Sequence, residues 1–243
     1  APTTDTDFDK TLLDTLAEHS FSEQQNQNPN LDAEITKEEI KIAISKLKNK
    51  KAPGIEGITS EMLKLPCDDV IDFFEILFNQ ILETGDYPEM WAIGLVKILF
   101  KKGKKDDLNN YRDLTILSVA GKVFDTVLNE RLKKWVEDND IIDPQQAGFR
   151  KGFSTVDHVV TLNNIIKLSK NKSGKLYVAF VDFKKAFNSV YREGLLAKLA
   201  DLGCKGKLFG VLASLYSKIK CAEIHYLAII IEKNVFKNSQ KII

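Results

Sequence analysis

Leu176-Tyr-Val-Ala-Phe-Val-Asp182 is the segment of this sequence that says most about its fold. Its first six residues are β-formers with a period of two, which predicts a strand ending at Asp182. A carboxylate on such an edge is a position where Mg²⁺ can be held, since this ion takes one or two carboxylates together with phosphates and water. The alternative, more common for an isolated aspartate, is that Asp182 caps the next segment.

Helical patterns dominate the rest of the chain. Thr36 and Glu39 form the capping box of a first helix. Further helices, predicted from apolar residues at helical spacing, cover about 68–83, 122–138, 154–169, 192–202 and 205–218. Two other short strands are predicted, at 93–100 and 115–118. This order of elements indicates an α+β or mixed α/β fold.

A cluster of basic residues lies between those two strands. The segment Lys97–Lys105 has five lysines in nine residues, and Arg112 follows it. On a hairpin-like element these side chains would attract phosphates, whereas the alternative is a solvated charged loop. Composition alone does not decide between the two.

The segment Gln145–Gly152 combines glycines, hydrogen-bond donors and an aromatic ring. This mixture suits contact with a nucleic-acid backbone. An ordinary turn explains the same residues more simply. The tryptophans and the many phenylalanines are expected in the core.

Charge and cysteine content exclude several classes of protein. The 243 residues have a net charge of +1, but residues 1–40 carry ten acids and two bases, which leaves +9 for residues 41–243. A basic body is compatible with a polyanion partner. The three widely spaced cysteines form neither a disulfide framework nor a zinc pattern, and no apolar run is long enough to span a membrane. We expect an intracellular protein of the nucleus or cytoplasm that is not secreted.

Four segments in order resemble the reverse transcriptases of non-LTR retrotransposons, the long interspersed element class. Lys46–Ile58 is similar to the opening motif LKxxKAPGPDGI, and Val96–Ser118 to the fingers hairpin xxIxKKGxxxxxxNYRPISLLS. Gln145–Thr155 is similar to QxGFRxGxST, and Val181–Val190 to xDFxKAFDSV, the first catalytic motif of the palm. The resemblance covers about residues 36–220. It implies an α+β fold, helix-rich with few strands, made of the fingers and an incomplete palm of a right-hand polymerase.

The resemblance also implies roles for individual residues. Asp182 would be the catalytic aspartate that binds both Mg²⁺ ions, with the backbone carbonyl of Phe183 as a further ligand. Phe187 would be the steric gate that selects deoxynucleotides. Arg112 and Lys101 would bind the incoming triphosphate, where a guanidinium fork suits phosphate oxygens.

The implied partners are an RNA template, a DNA primer and deoxynucleoside triphosphates, with no membrane. Several basic and polar residues would contact the nucleic acid. They are Lys50, Lys51, Lys102, Lys104, Gln146, Arg150 and Lys151.

Departures from the family pattern limit what this chain is expected to do. Asp113 stands where the family has proline, Ile55-Glu56-Gly57 replaces PDG, and Asn188 replaces the second aspartate of the palm motif. Neither a QGxxxSP segment nor an Asp-Asp pair follows Asp182, and one carboxylate cannot hold two Mg²⁺ ions. We therefore expect a truncated reverse transcriptase that is inactive alone. The alternatives are a non-catalytic RNA- or DNA-binding remnant and a non-functional relic.

Three regions are predicted along the chain. Residues 1–35 would be an acidic, flexible leader. Residues 36–175 would form a fingers-like region. Residues 176–243 would form an incomplete palm with an unmatched C-terminal tail.

Overall fold

The computed structural model describes residues 28–65, 67–107, 110–171, 175–183, 186 and 190–221. Its helices are α1 (Lys37–Lys46), α2 (Ser60–Leu63), α3 (Asp68–Thr84), α4 (Glu89–Ala92), α5 (Val119–Asp138), α6 (Thr155–Asn171), α7 (Arg192–Asp201) and α8 (Lys207–Lys218). Its strands are β1 (Ile93–Phe100), β2 (Tyr111–Ile116) and β3 (Lys220–Cys221). Many helices and one small sheet confirm the predicted α+β class.

Local sequence signals set the ends of the helices. The Thr36 hydroxyl accepts a hydrogen bond from the Glu39 amide (3.3 Å), and the Glu39 carboxylate accepts one from the Thr36 amide (2.9 Å), so the predicted capping box is present. Helix α3 ends at Gly85, whose φ of 68° is a left-handed conformation that favours glycine. The helices predicted from apolar spacing are all confirmed, with ends within a few residues.

The chain forms two compact units. The larger contains the described residues of 28–133 and 192–221, and the smaller contains those of 134–191. Most of the buried apolar side chains belong to the larger unit.

Aromatic side chains make the centre of the larger unit. The ring centroids of Phe78 and Phe124 are 5.0 Å apart, and Trp91 meets Phe78 edge-on at 6.0 Å. Tyr87 and Phe74 extend the cluster on either side. Because large rings bury much apolar area, this cluster holds α3, α4 and α5 together.

The segment before α1 packs into this core. Leu31 and Ile35 are fully buried. The buried carboxylate of Asp32 accepts a hydrogen bond from the Leu208 amide (2.9 Å) at the start of α8. Residues 28–35, the described end of the predicted leader, are therefore part of the larger unit.

The sheet has the strand order β2-β1-β3. Strands β1 and β2 are antiparallel, with Leu99 opposite Arg112 and Phe100 opposite Tyr111, and β3 runs parallel to β1. The predicted strand at 93–100 is confirmed. The second strand spans 111–116 and not 115–118, because its ladder with β1 continues to the last residue of that strand.

The smaller unit corrects the prediction of a strand at Leu176–Val181. Residues 175–183 form no strand and are exposed along their whole length. A strand needs a neighbour for its backbone groups, and within the described ranges none pairs with this segment. Among the residues that the structure describes, no helix is long and apolar enough to cross a bilayer.

Candidate nucleic-acid interface

The β1–β2 hairpin of the larger unit presents lysines to solvent. Along β1, Gly94 and Val96 are buried while Lys97 and Leu99 on the other face are exposed, as the period of two requires. The loop that follows adds Lys101, Lys102, Lys104 and Lys105, all of them exposed. The hairpin predicted from sequence is therefore present, and its basic residues are accessible.

Hydrogen bonds shape the described ends of this loop. The Lys101 amide donates to the Asn110 carbonyl (2.7 Å), which extends the ladder beyond β1. The Asn110 side-chain amide donates to the Lys104 carbonyl (2.9 Å). Gly103 has a φ of 96°, and a Cβ there would lie 2.7 Å from that amide nitrogen. The loop thus needs glycine at this position to present its lysines as it does.

Lys101 and Arg112, the two residues expected to bind triphosphate, flank the Phe100–Tyr111 pair on opposite strands of the hairpin. Lys101 follows Phe100, and Arg112 follows Tyr111, the residue paired with Phe100. Because the strands are antiparallel, Arg112 is opposite Leu99, and Lys101 and Arg112 lie two ladder positions apart, although eleven positions separate them in sequence.

Within the opening motif, residues 54–57 form a turn, closed by a hydrogen bond from the Gly57 amide to the Gly54 carbonyl (3.2 Å). Glu56 is part of this turn, and its carboxylate accepts a hydrogen bond (2.5 Å) from the amide of Val119, which is the first residue of α5. A carboxylate is favoured at a helix N-terminus because the unpaired amides and the helix dipole both attract negative charge. This role of Glu56 was not predicted, since the capped helix begins 63 positions later in the chain.

Lys50 and Lys51, expected to contact nucleic acid, are exposed just before that turn. Lys50 has a φ of 57°, and its amide donates to the Glu61 carboxylate (2.5 Å). The backbone contact leaves the Lys50 ammonium group uninvolved, so its charge can face solvent.

In the smaller unit, the Arg150 side chain is paired with other residues of the same chain. Its guanidinium binds both carboxylate oxygens of Glu137 (3.0 and 2.7 Å) and lies 4.3 Å from the ring centre of Phe153. Hydrogen bonding from Arg150 holds the pKa of Glu137 below its usual range. Gln146 and Lys151 of the same loop are exposed.

Asp182 and Phe183 lie in the exposed segment 175–183, and Phe187 and Asn188 lie outside the described residues. The phenylalanines were expected in the core, which is wrong for Phe149, Phe180 and Phe183, whose exposed fractions are 86%, 83% and 76%. Among the described residues, no three His, Cys, Asp or Glu side chains are grouped to hold a metal. The described residues therefore do not fit a two-metal site, and the structure yields no step that uses one.

Comparison with known sequences identifies the family. A family profile described as "Reverse transcriptase (RNA-dependent DNA polymerase)" matches residues 101–238. The chain belongs to this reverse transcriptase family. The match includes the hairpin loop and Asp182, and it also includes residues 223–238, in which no family motif was recognised from sequence.

Curated relatives narrow the family to non-LTR elements. The chain is 30% identical over 178 residues to the "Probable RNA-directed DNA polymerase from transposon BS" of Drosophila melanogaster, covering 73% of this chain and 20% of that protein. It is 30% identical over 169 residues to the "RNA-directed DNA polymerase from mobile element jockey" of the same species, covering 69% and 18%. The X-element polymerase of this fly is 28% identical over 88% of the chain and 24% of its own length.

The matched relatives are much longer than this chain. The chain spans about a fifth of the length of the relatives it matches, so it corresponds to a fragment of a non-LTR retrotransposon reverse transcriptase. Proteins of this family generally use divalent metal ions.

Proposed function

We propose that this chain is the fingers and part of the palm of the polymerase, and that it binds single-stranded nucleic acid through the β1–β2 hairpin. The observation that carries the proposal is the exposure of five lysines between Lys97 and Lys105 on a hydrogen-bonded hairpin. Because each strand phosphate carries a negative charge, lysines that neutralise phosphates release counterions, and binding becomes favourable at low salt.

The triphosphate of a deoxynucleotide would meet the same hairpin. Lys101 and Arg112, two ladder positions apart on this hairpin, match by sequence motif the family residues that contact the incoming nucleotide. Lys102 and Lys104 would contact the template, together with Lys50 and Lys51 of the opening motif. In the smaller unit, Gln146 and Lys151 remain candidates, and Arg150 would have to release Glu137 to join them.

Polymerisation belongs to the whole protein and not to this chain alone. Asp182 would bind the catalytic Mg²⁺ ions in the intact enzyme, with Phe183 as a ligand and Phe187 as the gate on the sugar. No adjacent pair of aspartates follows Asp182 in the sequence. We therefore assign this chain the binding of template, primer and nucleotide without nucleotidyl transfer.

The salt dependence of RNA binding tests the proposal. The affinity of the chain for a labelled single-stranded RNA, measured by fluorescence anisotropy, should fall on a log–log plot with a slope of about −0.7 per phosphate neutralised. Replacing Lys101, Lys102, Lys104 and Lys105 by alanine should make this slope shallower by up to about 2.8, which is four such contacts.

A matched control changes the same number of charges elsewhere. Lys41, Lys167, Lys170 and Lys198 are also exposed and lie on helices outside the hairpin. Replacing these four by alanine should leave the slope nearly unchanged. Equal slopes for both quadruple variants and the unchanged chain would show that the hairpin lysines are a solvated run and that the binding proposal is wrong.

A further inference from the structure

Two aromatic rings lie at the tip of the β1–β2 hairpin, next to its lysines. Phe100 ends β1, Tyr111 begins β2, and the two residues are directly opposite each other. Their ring centroids are 5.4 Å apart at an interplanar angle of 63°, an edge-on arrangement. Phe100 is 42% exposed and Tyr111 is half-buried.

The position of these rings follows from the strand period. Phe100 is on the same face of β1 as Gly94 and Val96, which are buried, and Ile98, which is half-buried. Toward the loop, this face of β1 extends beyond the core. Phe100 is therefore the first residue on this face that is exposed to solvent. An edge-on neighbour covers only part of a ring, which leaves apolar area of Phe100 open.

Tyr111 ties this aromatic pair to the basic loop. Its hydroxyl donates a hydrogen bond to the Lys105 carbonyl (2.7 Å), which orients the ring relative to the loop. Lys101 is adjacent to Phe100 in sequence, and its amide is bonded to Asn110, adjacent to Tyr111. The aromatic pair is therefore fixed to the backbone of the loop that carries the lysines.

We propose that Phe100, supported by Tyr111, is a stacking surface for an unpaired base of the single-stranded nucleic acid whose phosphates the hairpin lysines bind. The inference rests on the proposed function and adds a contact to the bases. Every base has a π-face, so an aromatic ring beside a positively charged track binds single strands without sequence preference. The lysines favour a polyanion over an apolar protein surface as the partner, because an apolar partner would have to desolvate them.

An oligonucleotide without bases separates stacking from charge. Binding of a short oligo(A) RNA is compared, at one low salt concentration, with that of an abasic oligonucleotide of the same length and phosphate number. The unchanged chain should prefer the base-bearing strand by about fivefold or more, the typical effect of one stacked base. Phe100→Ala should remove most of this preference and leave the abasic affinity unchanged, whereas Phe100→Trp should keep it.

Leu99→Ala is the matched control, since Leu99 is 51% exposed on the opposite face of the same strand. It should not alter the preference for bases. The comparison with Phe100→Trp and with the unchanged chain stays informative even where Phe100→Ala lowers stability.

The outcomes separate this inference from the proposed function. Salt-dependent binding of equal strength to both oligonucleotides would overturn the stacking site and leave the lysine contacts standing. A preference for bases that Phe100→Ala leaves intact would also overturn it. Failure to bind either oligonucleotide would overturn both proposals.

Discussion

At Gly54 the chain passes so close to the start of α5 that no side chain fits. A Cβ there would lie 2.6 Å from a Glu56 carboxylate oxygen and 2.8 Å from the backbone of Ser118. Gly54→Ala is expected to destabilise the protein by about 1–3 kcal/mol, since backbone and cap must move apart. Denaturant unfolding measures this loss. Gly148→Ala, where a Cβ would meet nothing within 4 Å, should have little effect, and equal losses for the two variants would contradict the argument.

Asp125 makes the stability of the larger unit depend on pH. Burial raises its pKa from 3.8 to about 6, against the opposing effect of the hydrogen bond from the Tyr87 hydroxyl (3.0 Å). Between these values the folded state holds a proton that the unfolded chain has released, so stability falls as pH rises through about 4 to 6. Above that window the ionised carboxylate costs about 3 kcal/mol.

Asp125→Asn should remove this loss, because the amide keeps an acceptor for Tyr87 and does not ionise. The free energy of unfolding, measured from pH 4 to pH 7, should then decline less in the variant than in the unchanged protein. Parallel curves across that range would show that Asp125 does not carry the shift.

At the scale of elements, Arg131 joins the segment before α1 to α5. Its guanidinium binds both oxygens of the Glu39 carboxylate (2.7 and 2.8 Å) and also donates to the carbonyls of Leu31, Ala33 and Glu34. The Arg131 side chain is only 8% exposed, so these bonds are shielded from water.

Arg131→Ala should therefore lower the free energy of unfolding by about 2 kcal/mol or more, since it leaves several acceptors without their donor. Lys133→Ala is the control. Lys133 pairs with Glu130 on the same helix, both side chains are about half exposed, and loss of this pair should cost less than about 0.5 kcal/mol. Similar losses in both variants would contradict a buried clamp.

Structural elements that depend only on residues close together in the chain were predictable from the sequence. The capping box at Thr36 and the apolar stripe of α3 act within one helix, so their pattern is sufficient. The strand at Leu176–Val181 was wrong because β-forming residues make a strand only beside a partner. Leu31 was assigned to the acidic leader, and its burial follows from distant contacts that this segment makes with Arg131 and with α8.

The same distinction holds for the candidate site. The exposed lysines of the hairpin were predicted, since a charged loop between two strands is a local feature. The cap that Glu56 provides for α5 and the pairing of Phe100 with Tyr111 depend on register and long-range packing. The proposed roles of Asp182 and Phe187 remain predictions from the family motif.

At the scale of the whole molecule, the chain belongs to the reverse transcriptase family but corresponds to only part of the length of its relatives. It spans 18–24% of the relatives described above, and the acidic residues needed beside Asp182 are not grouped among the described residues. In the proposed function, nucleic acid binds through the exposed basic hairpin, whereas nucleotidyl transfer would require at least one further carboxylate. The central claim is that this chain binds a template–primer and does not extend it.

Primer extension tests that claim most directly. The chain is incubated with a labelled DNA primer on an RNA template at a protein concentration that saturates binding, with deoxynucleoside triphosphates and either Mg²⁺ or Mn²⁺. We predict that the primer is bound and keeps its length. Template-dependent extension that disappears in Asp182→Ala would contradict the claim, because it would show a complete catalytic site in this chain.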